Sequence, residues 1–289
     1  MLCTLRSSGV TWFSEKLHAN YQLQLLVSQT LFQEQTAHQD LIIFENPVFG
    51  RVLALDGVIQ TTEGDEFIYH EMLAHVPILA HGRARRVLVV GGGDGGMLKQ
   101  VLRHEGVEGT LVEIDPGVIE LCRKFLPNIG ENVFDAPRAR VVIADGAKYM
   151  AETTDKYDVI IVDSTDPIGP GEVLFRAEFY GDCKRCLNKG GILVTQSGVP
   201  FLQKTELTNS YRRLRQHFAD ASFYLAPVPT YAGGFMAFGW ASDDLEARRL
   251  SPSAIAERFA TSGLKTRYYN PEIHVAAFAL PNYVRALMA

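Results

Sequence analysis

Between Val87 and Met97 the chain reads Val-Leu-Val-Val-Gly-Gly-Gly-Asp-Gly-Gly-Met, an apolar β-branched run ending in glycines that include positions 91, 93 and 96. Glycines at that spacing mark a strand-to-helix turn whose backbone N–H groups and helix N-terminus usually face an anion. Here Asp94 stands inside the turn, so the positive end of the helix meets the protein's own carboxylate. A pyrophosphate is repelled at such a turn, whereas a ligand presenting a cation is attracted. At about 4 Å and an effective dielectric near 20, an ammonium–carboxylate pair is worth several kcal/mol. The same magnitude rejects an anion, so this one position discriminates strongly.

In an open parallel sheet, ligands bind beyond the carboxyl ends of the strands. The expected strand ends carry Asp94, then Glu113 and Asp115, then Asp145, then Asp163 and Asp166. Asp115 before Pro116 and Asp145 before Gly146 also suit helix N-caps. Caps do not account for all six acids. Glu113 follows Gly93 by 20 residues, the distance at which an acid accepts from a ribose hydroxyl. The ligand is therefore expected to contain a nucleoside. Asp94 opposes the pyrophosphate of NAD, and S-adenosylmethionine fits better because it has none. A nucleoside that keeps the sulfonium and amine but lacks the carboxylate fits best.

Asp163-Ser-Thr-Asp166-Pro167 places two carboxylates three apart after an apolar strand, and Ile168-Gly-Pro-Gly-Glu172 reads as a lid-type loop. Two such acids suit a basic nucleophile: one holds an ammonium and the other accepts its proton. A primary amine, with a reference pKa near 10.4, must lose that proton before it attacks a sulfonium-activated carbon. Asp163, nearest the strand end, is the expected base, while Asp166 also suits an Asx turn before Pro167. Tyr69-His70-Glu71 sits on the helix before the sheet, where an aromatic wall and a neutral imidazole would line an amine channel. His70 and His75 are five apart, which is not the H-E-x-x-H spacing, and no metal site is expected. Tyr231 falls at a hairpin tip; Gln39 and Gln60 are polar residues at strand positions.

The elements that must position these residues show two rhythms. From Tyr21 to Thr62 short strand-like runs with close turns read as antiparallel hairpins, followed by a helix over Glu66 to Leu79. From Arg86 strands and helices alternate, which implies a doubly wound, mostly parallel α/β sheet. Ser222–Val228 and Phe235–Ala241 add a long antiparallel hairpin at its edge. The expected division is an N-terminal β-hairpin unit with its linking helix over 1–80 and a catalytic unit over 81–289. The 289 residues are 47% apolar and 21% charged with a net charge of −5, which argues against a nucleic-acid partner. No apolar stretch reaches membrane-span length and Met1–Glu15 does not read as a secretory signal, so no membrane partner is expected. Four scattered cysteines point to a reducing, cytoplasmic compartment. Cys183-Lys-Arg-Cys186 lies in a helical segment with no second pair and reads as core or surface thiols.

Gly91-Gly-Gly-Asp-Gly95, Val112-Glu-Ile-Asp115, Asp145-Gly146, Asp163-Ser-Thr-Asp-Pro167, Leu55-Asp-Gly-Val-Ile-Gln60 and Pro229-Thr-Tyr231 together resemble the spermidine synthases. The likeness extends to bacterial ones through His38-Gln-Asp-Leu-Ile-Ile-Phe-Glu-Asn46, Phe67-Ile-Tyr-His-Glu71 and Cys183-Lys-Arg-Cys-Leu-Asn188. It runs in order over roughly residues 30 to 285. The resemblance implies a Rossmann-like, methyltransferase-like fold and aminopropyl transfer from decarboxylated S-adenosylmethionine to putrescine, giving spermidine and methylthioadenosine. Decarboxylated S-adenosylmethionine is then a co-substrate, and no further cofactor or metal is implied. By position, Gln39, Glu113, Asp145, Gly146 and Pro170 would bind the thioadenosine, and Asp94 the aminopropyl ammonium. Asp163 would be the base, with Tyr69, His70, Asp166 and Tyr231 around the diamine and Ser164, Thr165 and Gln60 in the same substrate set. A homodimer or homotetramer assembled partly through the N-terminal strands is also implied. Three positions depart from the family: Gly64 stands where Arg is usual, Gln35 where Lys is common, and Ala232 where a bulkier residue often follows the tyrosine.

Other readings are weaker on the same residues. An N-methyltransferase would have to seat the carboxylate of intact S-adenosylmethionine beside Asp94. Aminopropyl transfer to cadaverine, agmatine or spermidine differs only in pocket depth. A non-catalytic polyamine binder predicts a lost base, yet Asp163 is present.

Overall fold

The computed structural model describes residues 4–7, 9–36, 38–166 and 169–289. Three antiparallel strands, β1 (Thr4–Ser7), β2 (Val10–Ser14) and β3 (Gln24–Val27), are followed by a four-stranded meander. The meander comprises β4 (Gln29–Gln35), β5 (Asp40–Asn46), β6 (Gly50–Leu55) and β7 (Val58–Thr62). Strand β5 is apolar on both faces, because successive side chains point to opposite sides. Its Ile42 and Phe44 pack with Phe13 and Leu25, whereas Leu41 and Ile43 pack with Val118, Cys122 and Leu126 of the next unit. That second contact fixes the small sheets over the rim where the acids gather.

Helix α1 (Glu66–His81) links the two units and is buried along nearly its whole length. A helix buried on nearly every side belongs inside a core, and α1 packs there with Val87, Val89, Ile161 and Val194 of the larger sheet. The helix that sequence grouped with residues 1–80 thus contributes to the larger unit's core. It stops at Gly82, whose φ of 74° lets its N–H reach Ile78 O at 2.9 Å. Arg258 donates to the carbonyls of Leu79 and Ala80 at 2.8 and 2.6 Å.

The larger unit alternates as expected. Strands and helices follow as β8 (Arg86–Gly91), α2 (Gly96–Leu102), β9 (Glu108–Glu113), α3 (Pro116–Phe125), α4 (Pro127–Gly130), β10 (Ala139–Ile143), α5 (Gly146–Glu152) and β11 (Tyr157–Asp163). Then come α6 (Ala177–Cys186), β12 (Leu187–Gln196), α7 (Lys204–His217), β13 (Asp220–Ala226) and β14 (Met236–Ser242). Three short helices close the chain: α8 (Pro252–Ser262), α9 (Pro271–Ala277) and α10 (Asn282–Ala286). The sheet order is β10-β9-β8-β11-β12-β14-β13, parallel from β10 to β12, with β14 antiparallel to both neighbours. This is a Rossmann-like α/β fold with the strand order reversing beside β8, where a ligand crevice forms. Helix α6 begins at Ala177 and is preceded by a 3-10 segment over Gly169–Phe175; Pro167, and Ile168 of the lid-type loop, lie outside the described residues. Cys183 and Cys186 are both buried in the core, where burial raises their thiol pKa values. No helix among the described residues is long and apolar enough to cross a membrane.

Candidate active site

A cleft of about 340 Å³ opens at the carboxyl ends of β8, β9 and β11, within the size range of small-molecule sites. Segments Glu15–His18 and Val58–Gln60 of the N-terminal sheets line it from the other side. Of the residues singled out by sequence, Gln39, Gln60, Tyr69, His70, Asp94, Glu113, Asp145, Gly146, Asp163, Ser164, Thr165, Asp166 and Tyr231 all border this one space. Pro170 falls in the 3-10 segment, but its side chain lies outside the described residues.

The glycine turn shapes the floor. Gly91 pairs with Asp163 in register and has φ of +84°; a Cβ there would lie 2.1 Å from the Asp163 carbonyl oxygen. Only glycine permits that approach. Asp94 Oδ1 accepts from the N–H of Gly96 at 2.8 Å, so the carboxylate closes the N-terminus of α2. Glu113 accepts from the N–H of Asp115 at 2.9 Å, and burial pushes its carboxyl up to about 7. Asp115 and Asp145 cap α3 and α5 through Gly117 N, Ala147 N and Lys148 N. Asp115 does not line the cleft. It receives the Thr36 hydroxyl at 2.7 Å and the Gln39 amide at 3.2 Å, and so anchors the β4–β5 turn.

Asp163 sits at the end of β11, where Tyr69 donates to its Oδ1 at 2.8 Å. Its second oxygen has no hydrogen bond among the described residues. Burial and the nearby Asp94 carboxylate raise Asp163 to about 6, against the opposing pull of His70 and Tyr69. Tyr231 stands edge-on to Tyr69, ring centroids 5.7 Å apart, and its hydroxyl donates to the Gln60 carbonyl. Asp166 is held by the Gln203 amide, and burial raises its carboxyl.

His70, expected as a neutral wall of the channel, has its ring nitrogens 2.6 Å from Glu66 and 3.6 Å from Asp94. Burial alone would lower its pKa, but the two carboxylates outweigh burial and raise it to about 9. Glu15, Glu66, Gln196 and Gln203 were missed as site residues. Glu66 was signalled by its place four residues before His70 on one helix. Glu15 had no local signal; it bonds Ile59 N, 44 residues away, and burial raises it to about 7. Ala232 lines the cleft, whereas Gly64 and Gln35 do not. Gly64 lies tight against Phe49, its N–H bonded to the Phe49 carbonyl at 2.9 Å.

Residues 66–251 match the family described as "Spermine/spermidine synthase domain", and residues 11–63 match "Spermidine synthase tetramerisation domain". A polyamine aminopropyltransferase of Serratia proteamaculans (strain 568) is 58% identical over 274 residues, covering 94% of this chain and 95% of its own. The chain belongs to the spermidine synthase family. Another relative, the polyamine aminopropyltransferase of Shigella sonnei (strain Ss046), is 56% identical over 276 residues, 95% of this chain and 96% of its own. Among solved structures, a spermidine synthase in complex with the transition-state analogue AdoDATO superposes with a TM-score of 0.91 at 40% identity, covering 96% of this chain and 94% of that one. The Thermotoga maritima spermidine synthase superposes at 0.88 with 38% identity, over 96% and 93% of the two chains. Spermidine synthase relatives thus span both the small sheets and the Rossmann-like unit.

Proposed function

We propose that this enzyme transfers the aminopropyl group of decarboxylated S-adenosylmethionine to putrescine, releasing spermidine and methylthioadenosine. The observation that carries this reading is the placement of Asp94 and Asp163 on one cleft, Asp94 inside the glycine turn and Asp163 with an oxygen left free. Asp94 receives the donor's ammonium in the place where a phosphate would otherwise bind. Glu113 takes the ribose hydroxyls, with Gln39, Asp145, Gly146 and Pro170 around the rest of the thioadenosine. Tyr69, His70, Asp166, Tyr231 and Gln60 surround the diamine, with Ser164 and Thr165 beside them.

The attacking amine gives its lone pair to the methylene carbon bound to the sulfonium. The C–S bond breaks, its electron pair stays on sulfur as a neutral thioether, and the nitrogen's proton passes to Asp163. A carboxylate raised to about 6 accepts that proton more readily near neutral pH than an ordinary aspartate does. The donor supplies its own activated carbon, so the reaction needs no redox cofactor or metal. We place the enzyme in the cytoplasm as a homo-oligomer, a dimer or tetramer, supported by the match to the tetramerisation family over residues 11–63.

The test is a product assay by mass spectrometry, with putrescine and either decarboxylated or intact S-adenosylmethionine. Spermidine and methylthioadenosine from the decarboxylated donor alone are expected. Asp163→Asn should lower kcat by about 10²–10⁴-fold while methylthioadenosine still binds. N-methylputrescine from the intact donor, or normal turnover by Asp163→Asn, would overturn the reading.

A further inference from the structure

His70 lies between two carboxylates, with Nδ1 2.6 Å from Glu66 Oε2 and Nε2 3.6 Å from Asp94 Oδ2. Glu66 and His70 are buried, at 9% and 2% exposure. A neutral imidazole carries one N–H, so one of its nitrogens would turn a lone pair toward a carboxylate. Only the doubly protonated ring presents an N–H toward both carboxylates. Gly96 leaves the room that the ring occupies, since a Cβ there would lie 2.3 Å from His70 Cε1.

We propose that Glu66 is a positioning residue for aminopropyl transfer, holding His70 as an imidazolium whose charge keeps Asp163 ionised and lies in ion-pair range of Asp94. The proposal rests on the reading of Asp163 as proton acceptor. The groups around this chain of charges come from several elements. Tyr69 lies beside His70 on α1, Asp94 approaches from the β8–α2 turn, and Asp163 from the end of β11. Lys99 of α2 and Arg267 of the α8–α9 connection face Glu66 and favour its ionised form. Glu113 faces Asp163. Asp94, Glu113 and Asp163 of the cleft, with the His70 imidazolium, thus meet a donor that brings a sulfonium and an ammonium.

The sign of the coupling gives the test. His70, when charged, lowers the Asp163 carboxyl against burial and Asp94. Glu66→Gln keeps the hydrogen-bond shape but removes the charge, so His70, left with Asp94 and Asp163, releases its proton at lower pH than in the native enzyme and Asp163 titrates at higher pH. The acid limb of kcat against pH should move up by about one unit relative to the native enzyme. That is roughly a tenfold loss on the acid side, with near-native turnover regained at about pH 9. Glu66→Asp, which keeps the charge, should fall between the two. A uniform loss at every pH, or an unmoved limb, overturns the proposal. Asp163→Asn run alongside separates the failures: an active Asp163→Asn sinks the acceptor reading, and a dead one with an unmoved Glu66→Gln limb sinks only this proposal. Should Glu66→Gln not fold, the ¹⁵N shifts of His70 in the native enzyme decide it. A doubly protonated ring at pH 7.5 supports the proposal and a neutral ring overturns it.

Discussion

Asp94 shows how far one residue type at one position can set ligand choice. Its carboxylate closes the N-terminus of α2 and also borders the cleft, so the turn is anionic where a dinucleotide-binding turn is open. Asp94→Asn keeps an oxygen for the Gly96 N–H but removes the charge. The KM for the decarboxylated donor should rise about 10- to 100-fold, the worth of a charge-assisted hydrogen bond, with a smaller change in kcat. Discrimination against intact S-adenosylmethionine should fall with it. Steady-state kinetics with both donors measures this, and unchanged KM and selectivity would remove Asp94 from the donor site. The charge of Asp94 was legible because a glycine turn dictates where its side chain stands. The charge of His70 was not, because its proton depends on Asp94, 24 positions further along the chain.

Helix α1 is the element that turns local sequence into a site. One side carries Tyr69 and His70 to the cleft with Glu66 behind His70, while Glu71 points elsewhere and accepts from the N–H groups of Arg267, Tyr268 and Tyr269 at 2.8 to 2.9 Å. Asp65, at its N-cap, accepts from Thr62 Oγ1 at 2.6 Å and from both the N–H and hydroxyl of Thr230 at 2.9 and 2.7 Å. This ties the β13–β14 connection, and with it Tyr231, to the start of α1. Asp65→Ala should lower stability by about 2 kcal/mol, since buried donors lose their partner. It should raise the KM for the amine without weakening methylthioadenosine binding. Denaturant unfolding with calorimetric titration checks both; equal weakening of both ligands would count against the staple.

Across the whole molecule, the cleft exists because the small antiparallel sheets sit against α3 and over the strand ends. Behind α1 the same packing buries a second set of titratable groups. His75 Nδ1 lies 3.0 Å from His104 Nε2, and burial lowers His75 strongly and His104 to about 4; His274 falls to about 3. Below about 6.5 the unfolded chain protonates these rings while the fold does not. Their contribution is therefore full above pH 6.5 and is lost as pH falls toward 4, on the order of 3 kcal/mol for His104. Glu15 and Glu113, raised to about 7, act in the opposite direction over the same range. His104→Gln isolates the histidine part. Its stability should fall less steeply than the native enzyme's between pH 6.5 and 4.5 in urea unfolding; parallel slopes would exclude the pair as the source.

What the residues determined by themselves was local. An apolar β-branched run, a glycine turn and an acid at the next positions compel strand, turn and helix, and so put Asp94, Glu113, Asp145 and Asp163 on one rim of a parallel sheet. Tertiary structure decided everything that needs two distant segments to meet in a low-dielectric space. Tyr69 reaches Asp163 across 94 positions, Glu15 enters the cleft from the N-terminal strands, and Glu66 and Asp94 together set the proton on His70. Short-range sterics can be read along a chain, whereas the ionisation of a buried group depends on charges brought close only by folding.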